Sequence, residues 1–232
     1  MLGTVVNTGA IIAGSVLGLL LHRKLSARYS EIVMKAIGLF TIVIGLDLAF
    51  KSNRMMLVLI SLVIGGLAGE LINLDGRLEW LGKKLQEKYS GGNSTLFVPG
   101  FVISSLLFCV GPLAIVGSLE DGLMGSHTVL FTKSLMDGTA SVALASAMGV
   151  GVLFSAGAVL VYQGLLTAAA LIFKGLMPMP YVNLMSAVGG ILLLGVALNL
   201  ILDIKLKVAN LLPAIFISPL VLKIALMIVT IK

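Results

Sequence analysis

Residues 3–21 read GTVVNTGAIIAGSVLGLLL, a run of 19 residues without a charged side chain. An α-helix rises about 1.5 Å per residue, so about 20 apolar residues cross the hydrocarbon core of a bilayer. A second uncharged run covers residues 182–202. Runs of this length are typical of transmembrane helices, and they predict an all-α membrane protein.

The composition of the whole chain supports this prediction. Of its 232 residues, 59% are hydrophobic and only 11% are charged, and the mean hydropathy is +1.14. A soluble domain carries about 25% charged residues, so a soluble globular enzyme is excluded. Disordered chains are poor in apolar residues. Transmembrane β-barrels alternate apolar and polar residues along each strand. The long unbroken apolar runs of this chain lack that alternation, so a β-barrel is also excluded.

Seven or eight transmembrane helices are predicted. The candidate spans are residues 3–21, 32–50, 55–73, 96–119, 126–150, 152–173, 182–202 and 208–231. The fourth is interrupted by Gly111-Pro112, where proline removes a backbone donor and breaks the helix. The fifth contains Lys133 and Asp137, and it either spans the bilayer or forms a re-entrant helix.

The distribution of basic residues predicts the orientation, because Lys and Arg collect in short cytoplasmic loops. With the N-terminus outside, the inner side holds ten of them: Arg23, Lys24, Arg28, Lys35, Arg77, Lys83, Lys84, Lys88, Lys205 and Lys207. The outer side then holds four: Lys51, Arg54, Lys174 and Lys232. We therefore expect a multi-pass membrane protein with its N-terminus outside.

Residues 77–89 differ from the spans because charged residues separate the apolar ones at helical spacing. Leu78, Leu81 and Leu85 fall on one helix face, and Trp80 and Tyr89 suit the membrane interface. We predict an amphipathic helix lying on the inner membrane surface, with a solvated connector helix as the alternative. The glycine- and serine-rich stretch 90–94 predicts a flexible hinge.

Two similarities indicate that the first three spans repeat as the last three. KAIGLFTIVIG at 35–45 resembles SAVGGILLLG at 186–195, and TGAII at 8–12 resembles AGAVL at 156–160. With eight spans, the first and sixth run in opposite directions, so the repeat would be inverted, as in many secondary transporters. The alternative is that these spans resemble one another only because all of them are apolar and rich in glycine.

This interpretation divides the chain into four parts. They are a first repeat (1–76), an interfacial helix and hinge (77–95), a broken-helix linker region (96–151) and a second repeat (152–232).

The fifth segment carries two charges that packing does not explain. Lys133 and Asp137 stand four residues apart, so they share a helix face. A charge at the bilayer centre costs about 2.5–3.5 kcal/mol on insertion scales. We expect a polar helix that lines a substrate or ion path, with Asp137 facing a wet cavity. The alternative is a buried ion pair that only anchors the helix.

Further polar residues join them as candidate substrate- or ion-binding groups. Gln163 offers both a donor and an acceptor beside Gly164, and Glu120 and Asp121 follow the broken helix. The full set is Glu120, Asp121, Lys133, Ser134, Asp137, Tyr162, Gln163 and Asn199. We expect Asn7 and Asn210 to form hydrogen bonds between helices. Glu70 lies near Arg77 and is expected to form a surface ion pair.

The sequence predicts no enzyme, no cofactor and no metal site. It has no P-loop, no Gly-x-Ser-x-Gly elbow and no His-Glu-x-x-His motif. One cysteine and two histidines are a poor set of ligands for zinc or iron. The net charge of +6 comes mostly from residues flanking spans, so nucleic acid is not expected as a partner. The expected partners are the lipid bilayer and a small solute, and a homo-oligomer is left open.

Five motifs together resemble the bacterial membrane family called domain of unknown function 554. They are FCVGPLAIVGS at 108–118, EDG at 120–122, KSLMDG at 133–138, YQG at 162–164 and NLLP at 210–213. The resemblance covers nearly the whole chain. It implies a multi-pass protein of the bacterial inner (plasma) membrane and no particular substrate. The function we predict is a secondary transporter for a small ion or polar metabolite; a channel or a structural or assembly protein are the alternatives.

Overall fold

The computed structural model describes residues 1–22, 27–90, 95–110, 112–169, 178–202 and 204–230. Within these ranges the chain forms ten α-helices and one 3-10 turn, Val208–Leu211. The helices are α1 (Leu2–His22), α2 (Ala27–Ala49), α3 (Met55–Ile72), α4 (Leu74–Ser90), α5 (Phe97–Cys109), α6 (Pro112–Met124), α7 (Thr128–Met148), α8 (Gly151–Ala169), α9 (Met179–Leu202) and α10 (Pro213–Thr230). The predicted all-α membrane fold is confirmed.

Six of the described helices are long and apolar enough to cross a membrane: α1, α2, α3, α8, α9 and the last helix, extended to include the 3-10 turn. A seventh crossing is added if α5 and α6, which meet at a bend, form one broken span. The break is where the sequence predicts it, although Gly111 itself lies outside the described residues. Val110 has an extended backbone (φ −83°, ψ 117°) that ends α5, and Pro112 begins α6.

The charged helix α7 lies along α1. Gly3 of α1 contacts Leu130 near the start of α7, and Gly18 contacts Ala145 near its end. The two helices therefore run in the same direction and cover the same depth. α7 is not one of the described helices that are long and apolar enough to cross a membrane, but it lies alongside α1, which is.

The helices of the two predicted repeats pair one to one, in opposite directions. Asn7 of α1 contacts Gln163 of α8, and the preceding turn of α1 contacts the following turn of α8 through Thr4 and Thr167. In the same way α2 packs on α9, with Gly38 beside Ile201 and Gly45 beside Gly190, and α3 packs on α10. Glycines allow this close approach, because the helix backbones meet where a side chain would collide.

α9 forms the centre of the core. Its side chains Leu184, Val188, Leu192 and Val196 are buried to 1% exposure or less. By contrast, α1, α2, α3 and α10 expose long rows of apolar side chains outward, and in a bilayer these rows face lipid.

Two places where the helical hydrogen-bond pattern is interrupted show how backbone groups are satisfied inside this fold. Asn73 adopts a left-handed backbone (φ 52°), and its N–H bonds the last turn of α3 before α4 begins. Pro219 lies inside α10 and cannot donate to the carbonyl of Ile215. The hydroxyl of Ser218 donates to that carbonyl instead, at 2.9 Å.

The amphipathic helix begins at Leu74, three residues earlier than predicted, because α3 ends at Ile72 and only Asn73 separates the two helices. Gly82 packs against Val98 and Phe101 of α5. Trp80 and Tyr89 are 56% and 57% exposed, and the ammonium of Lys84 lies 3.9 Å from the centre of the Trp80 ring. These aromatic and basic side chains suit a membrane interface.

Candidate functional site

Two opposite charges are buried inside the helical bundle. Lys133 and Asp137, one turn apart on α7, form an ion pair through Asp137 Oδ2. Their residues are only 5% and 8% exposed. In this conformation the pair is mostly buried, which fits the geometry of the buried-pair alternative better than that of a wet cavity. Burial strengthens the mutual attraction of the two charges but removes the water that would otherwise solvate them.

Asn7 connects this pair to a third helix. Its Nδ2 atom donates to Asp137 Oδ2 at 3.0 Å and to Gln163 Oε1 of α8 at 3.2 Å. The carboxylate fixes the orientation of the Asn7 amide, since only the NH₂ group can donate to it. We call Asn7, Lys133, Asp137 and Gln163 the polar cluster; it joins α1, α7 and α8.

The polar cluster is incompletely paired. Asn7 and Gln163 are fully buried. Among the described residues, Asn7 Oδ1 and Gln163 Nε2 have no hydrogen-bond partner. One is an acceptor and the other a donor. Buried polar groups are nearly always hydrogen-bonded, and leaving one unpaired costs about 1–3 kcal/mol, so these two atoms are suited to a ligand.

Small residues bring the three helices together around the polar cluster. Beyond Asn7, Gly14 of α1 packs directly on the backbone of Gly138, and Gly138 packs on Ala10. On α8 the next turn after Gln163 places the Thr167 hydroxyl 3.4 Å from that of Thr4. The α1–α8 contact is therefore polar over two successive turns.

The end of the broken helix lies near the polar cluster. The thiol of Cys109, the last residue of α5, is close enough to Lys133 and Asp137 to interact electrostatically with both. The last carbonyls of a helix carry partial negative charge. The C-terminal end of α5 therefore lies on the side of the bundle that holds the Lys133–Asp137 pair.

A second polar group lies at the N-terminal end of α1. The Asp121 side chain is fully buried, and its Oδ1 atom is 2.7 Å from His127 Nδ1 and 2.8 Å from the backbone amine of Met1. Met1 precedes Asn7 by six residues, which is about 9 Å along a helix. Asp121 thus belongs to a separate group at one end of the bundle. The backbone carbonyl of Glu120, the preceding residue, accepts a hydrogen bond from the Ser126 N–H.

Three other predicted site residues are directed elsewhere. The Ser134 hydroxyl donates to the Leu130 carbonyl of its own helix. The ring of Tyr162 packs edge-on against Phe216 of α10, with centroids 6.3 Å apart. Asn199 bonds both the N–H and the carbonyl of Leu206, each at 2.9 Å, so it holds the backbone of Leu206 against the end of α9.

Glu70 has a different partner from the one expected. Its carboxylate accepts from Lys207 at 2.8 Å and from Asn210 at 2.5 Å, rather than pairing with Arg77. The bond to Glu70 raises the pKa of Lys207 above its ordinary value. Asn210 Oδ1 also accepts from the Asp75 N–H at 2.7 Å, so this group fastens α3 and α4 to the 3-10 turn.

Sequence reasoning left Asn7 out of the site. Its signal was a single amide in an otherwise apolar run, which is equally typical of a plain contact between helices. As for metals, the described part of the chain brings no three His, Cys, Asp or Glu side chains together.

Comparison with known proteins places this architecture in one family. The family described as "Protein of unknown function (DUF554)" matches residues 2–223. "Uncharacterized membrane protein YdfK" of Bacillus subtilis (strain 168) is 35% identical over 226 residues, which cover 96% of each chain. "Uncharacterized protein YqgA" of Escherichia coli (strain K12) is 29% identical over 224 residues, covering 94% of each. No solved structure gives a significant match.

Proposed function

Because this chain belongs to the DUF554 family, a family of helical membrane proteins, we propose that it acts within the bilayer as a secondary transporter. Its substrate would be a small ion or a small polar metabolite, moved across the bacterial plasma membrane by alternating access. Transport, rather than catalysis, is the proposed activity.

The observation that carries this proposal is the polar cluster. Lys133 and Asp137 are buried on a helix that lies beside a candidate membrane span. Ionisable residues inside a membrane are rare, and they usually mark a substrate, ion or proton pathway. Stability does not explain the pair, since replacing a buried ion pair by apolar side chains is often neutral or stabilising. The two unpaired amide atoms beside it add binding capacity that is not used within the described fold.

The surroundings of the polar cluster support transport in a second way. The end of α5, at the break between α5 and α6, lies near it, and broken helices beside a midplane site are a recurring feature of secondary transporters. The antiparallel pairs α1/α8, α2/α9 and α3/α10 are the arrangement expected of an inverted repeat. We infer that a half-turn about an axis in the membrane plane relates α1–α3 to α8–α10.

The experiment is a ligand screen followed by a flux measurement. Purified protein is screened by thermal shift against ions and metabolites, because a ligand that binds the folded state raises the melting temperature. Each hit is then tested for uptake into proteoliposomes. We expect uptake that saturates with substrate and depends on a counter-ion gradient.

The double variant Lys133→Met/Asp137→Asn should lose both the melting shift and the uptake while remaining folded, because it removes both charges together. Thr41→Val is the matched control. It removes a buried hydroxyl of α2 that bonds only within its own helix, to the Ile37 carbonyl, and it should leave uptake unchanged.

Three other results would contradict the proposal. Uptake that rises linearly with concentration and needs no gradient would indicate a channel. Wild-type uptake in the double variant would remove the polar cluster from the pathway. Absence of any ligand and any flux, together with a stable protein partner in pull-downs, would favour a structural or assembly role.

A further inference from the structure

The pairing pattern of the polar cluster contains information about the chemistry of the substrate. The cluster holds one positive and one negative side chain, Lys133 and Asp137, and they neutralise each other. Beside them stand one unpaired acceptor, Asn7 Oδ1, and one unpaired donor, Gln163 Nε2. A ligand that completes the site has to match both the charges and these two atoms.

Ions of a single charge match this site poorly. A cation bound to Asp137 would displace Lys133 and leave its ammonium buried without a partner. An anion bound to Lys133 would likewise leave the Asp137 carboxylate uncompensated. Removing one partner of a buried ion pair is strongly unfavourable, because the remaining charge has lost both its counter-charge and its water.

A zwitterion avoids this penalty. It carries one positive and one negative group, so inserting it between Lys133 and Asp137 leaves the site neutral and gives each buried charge a new partner. The remaining atoms fit the same ligand. A carboxylate can accept from Lys133 and from Gln163 Nε2, while an ammonium can donate to Asp137 and to Asn7 Oδ1.

Resting on the proposed transport function, we propose that the polar cluster binds a small zwitterion, a neutral α-amino acid, whose two charges exchange with the Lys133–Asp137 ion pair. The ion pair then closes the empty site, and the substrate opens it. This exchange explains why the chain keeps two opposite charges, rather than one, at this depth.

Direct binding tests the proposal. Neutral α-amino acids from glycine to leucine are added singly to the purified full-length protein, and binding is measured with radiolabelled ligand. We expect saturable binding of at least one of them. Acetate and methylammonium are the two halves of glycine, and the methyl ester and the N-acetyl derivative of the bound amino acid each lack one charge. These compounds should compete at least about tenfold more weakly, since each leaves a buried charge unpaired.

Variants test whether amino-acid binding depends on the polar cluster. Gln163→Met keeps the side-chain length but removes the amide, and it should weaken amino-acid binding about tenfold, the loss of one hydrogen bond to a charged group. The double variant Lys133→Met/Asp137→Asn should show no saturable binding. The matched control Thr41→Val should bind as the wild type does.

The outcomes distinguish this inference from the function on which it rests. If acetate or methylammonium competes as strongly as the whole amino acid, the zwitterion assignment is wrong. Binding of glycerol that survives in the double variant would assign the two amide atoms to an uncharged polar solute, and it would also overturn the assignment. Saturable, gradient-dependent flux of another solute without amino-acid binding defeats this inference and leaves transport standing. Absence of all flux defeats the transport proposal itself.

Discussion

At the scale of single residues, the Lys133–Asp137 pair allows a sharp stability test. Asp137→Asn removes the negative charge and leaves the Lys133 ammonium buried. The free energy of unfolding should fall by about 3–5 kcal/mol, which is the usual result of removing one partner of a buried ion pair. Adding Lys133→Met should restore most of the loss, because no unpaired charge remains.

The measurement is chemical or thermal unfolding of the purified protein in detergent. Asp137→Asn with wild-type stability would mean that water reaches the site, as the expected wet cavity requires. Failure of Lys133→Met to restore stability would show that Asp137 acts through Asn7 rather than through the ion pair.

At the scale of helices, the glycines of α1 set its distance from α7. A Cβ at position 14 would meet the carbonyl of Gly138 and the side chain of Ser141. Gly14→Ala should therefore separate the two helices and lower the free energy of unfolding by about 1–3 kcal/mol, the usual range for overpacking. Gly9 on the same helix has open space around it. Gly9→Ala should be neutral or stabilising by up to about 1 kcal/mol, since alanine favours helix.

The same unfolding measurement compares these two variants. Equal effects of Gly14→Ala and Gly9→Ala would contradict the close α1–α7 contact. They would also remove the evidence that α7 lies at the same depth as α1.

At the scale of the whole molecule, the orientation of the protein in the membrane is predicted from the distribution of its basic residues. Cysteine labelling tests this prediction. Cys109 is the only cysteine and is replaced by Ala. Single cysteines then replace Glu87 on α4 or Lys51 at the α2–α3 turn, both exposed. With the N-terminus outside, an impermeant thiol reagent added to intact cells should label Lys51→Cys and leave Glu87→Cys unlabelled until the cells are opened. The reverse pattern would invert the topology.

The division of the chain into two repeats also stays a prediction at this scale. The antiparallel pairing of α1–α3 with α8–α10 is what an inverted repeat requires, but shared glycine patterns would bring the same helices together without symmetry.

The sequence by itself determined what depends on neighbouring residues. Long uncharged runs specify helices that cross a membrane, Gly111-Pro112 specifies the break, and the four-residue spacing of Lys133 and Asp137 places both on one face. Each of these follows from local backbone geometry and from the cost of placing polar groups in hydrocarbon.

Only the tertiary structure decided which polar residues meet. Asn7 reaches Asp137 across 130 positions and Gln163 across 156, while Asn199 bonds the backbone of Leu206, only seven residues away. In the sequence Asn7, Gln163 and Asn199 are all single amides in apolar runs, so nothing local separates a site residue from one that only holds a nearby backbone segment. The difference lies in which helix faces them, and that is set by packing between helices distant in the chain.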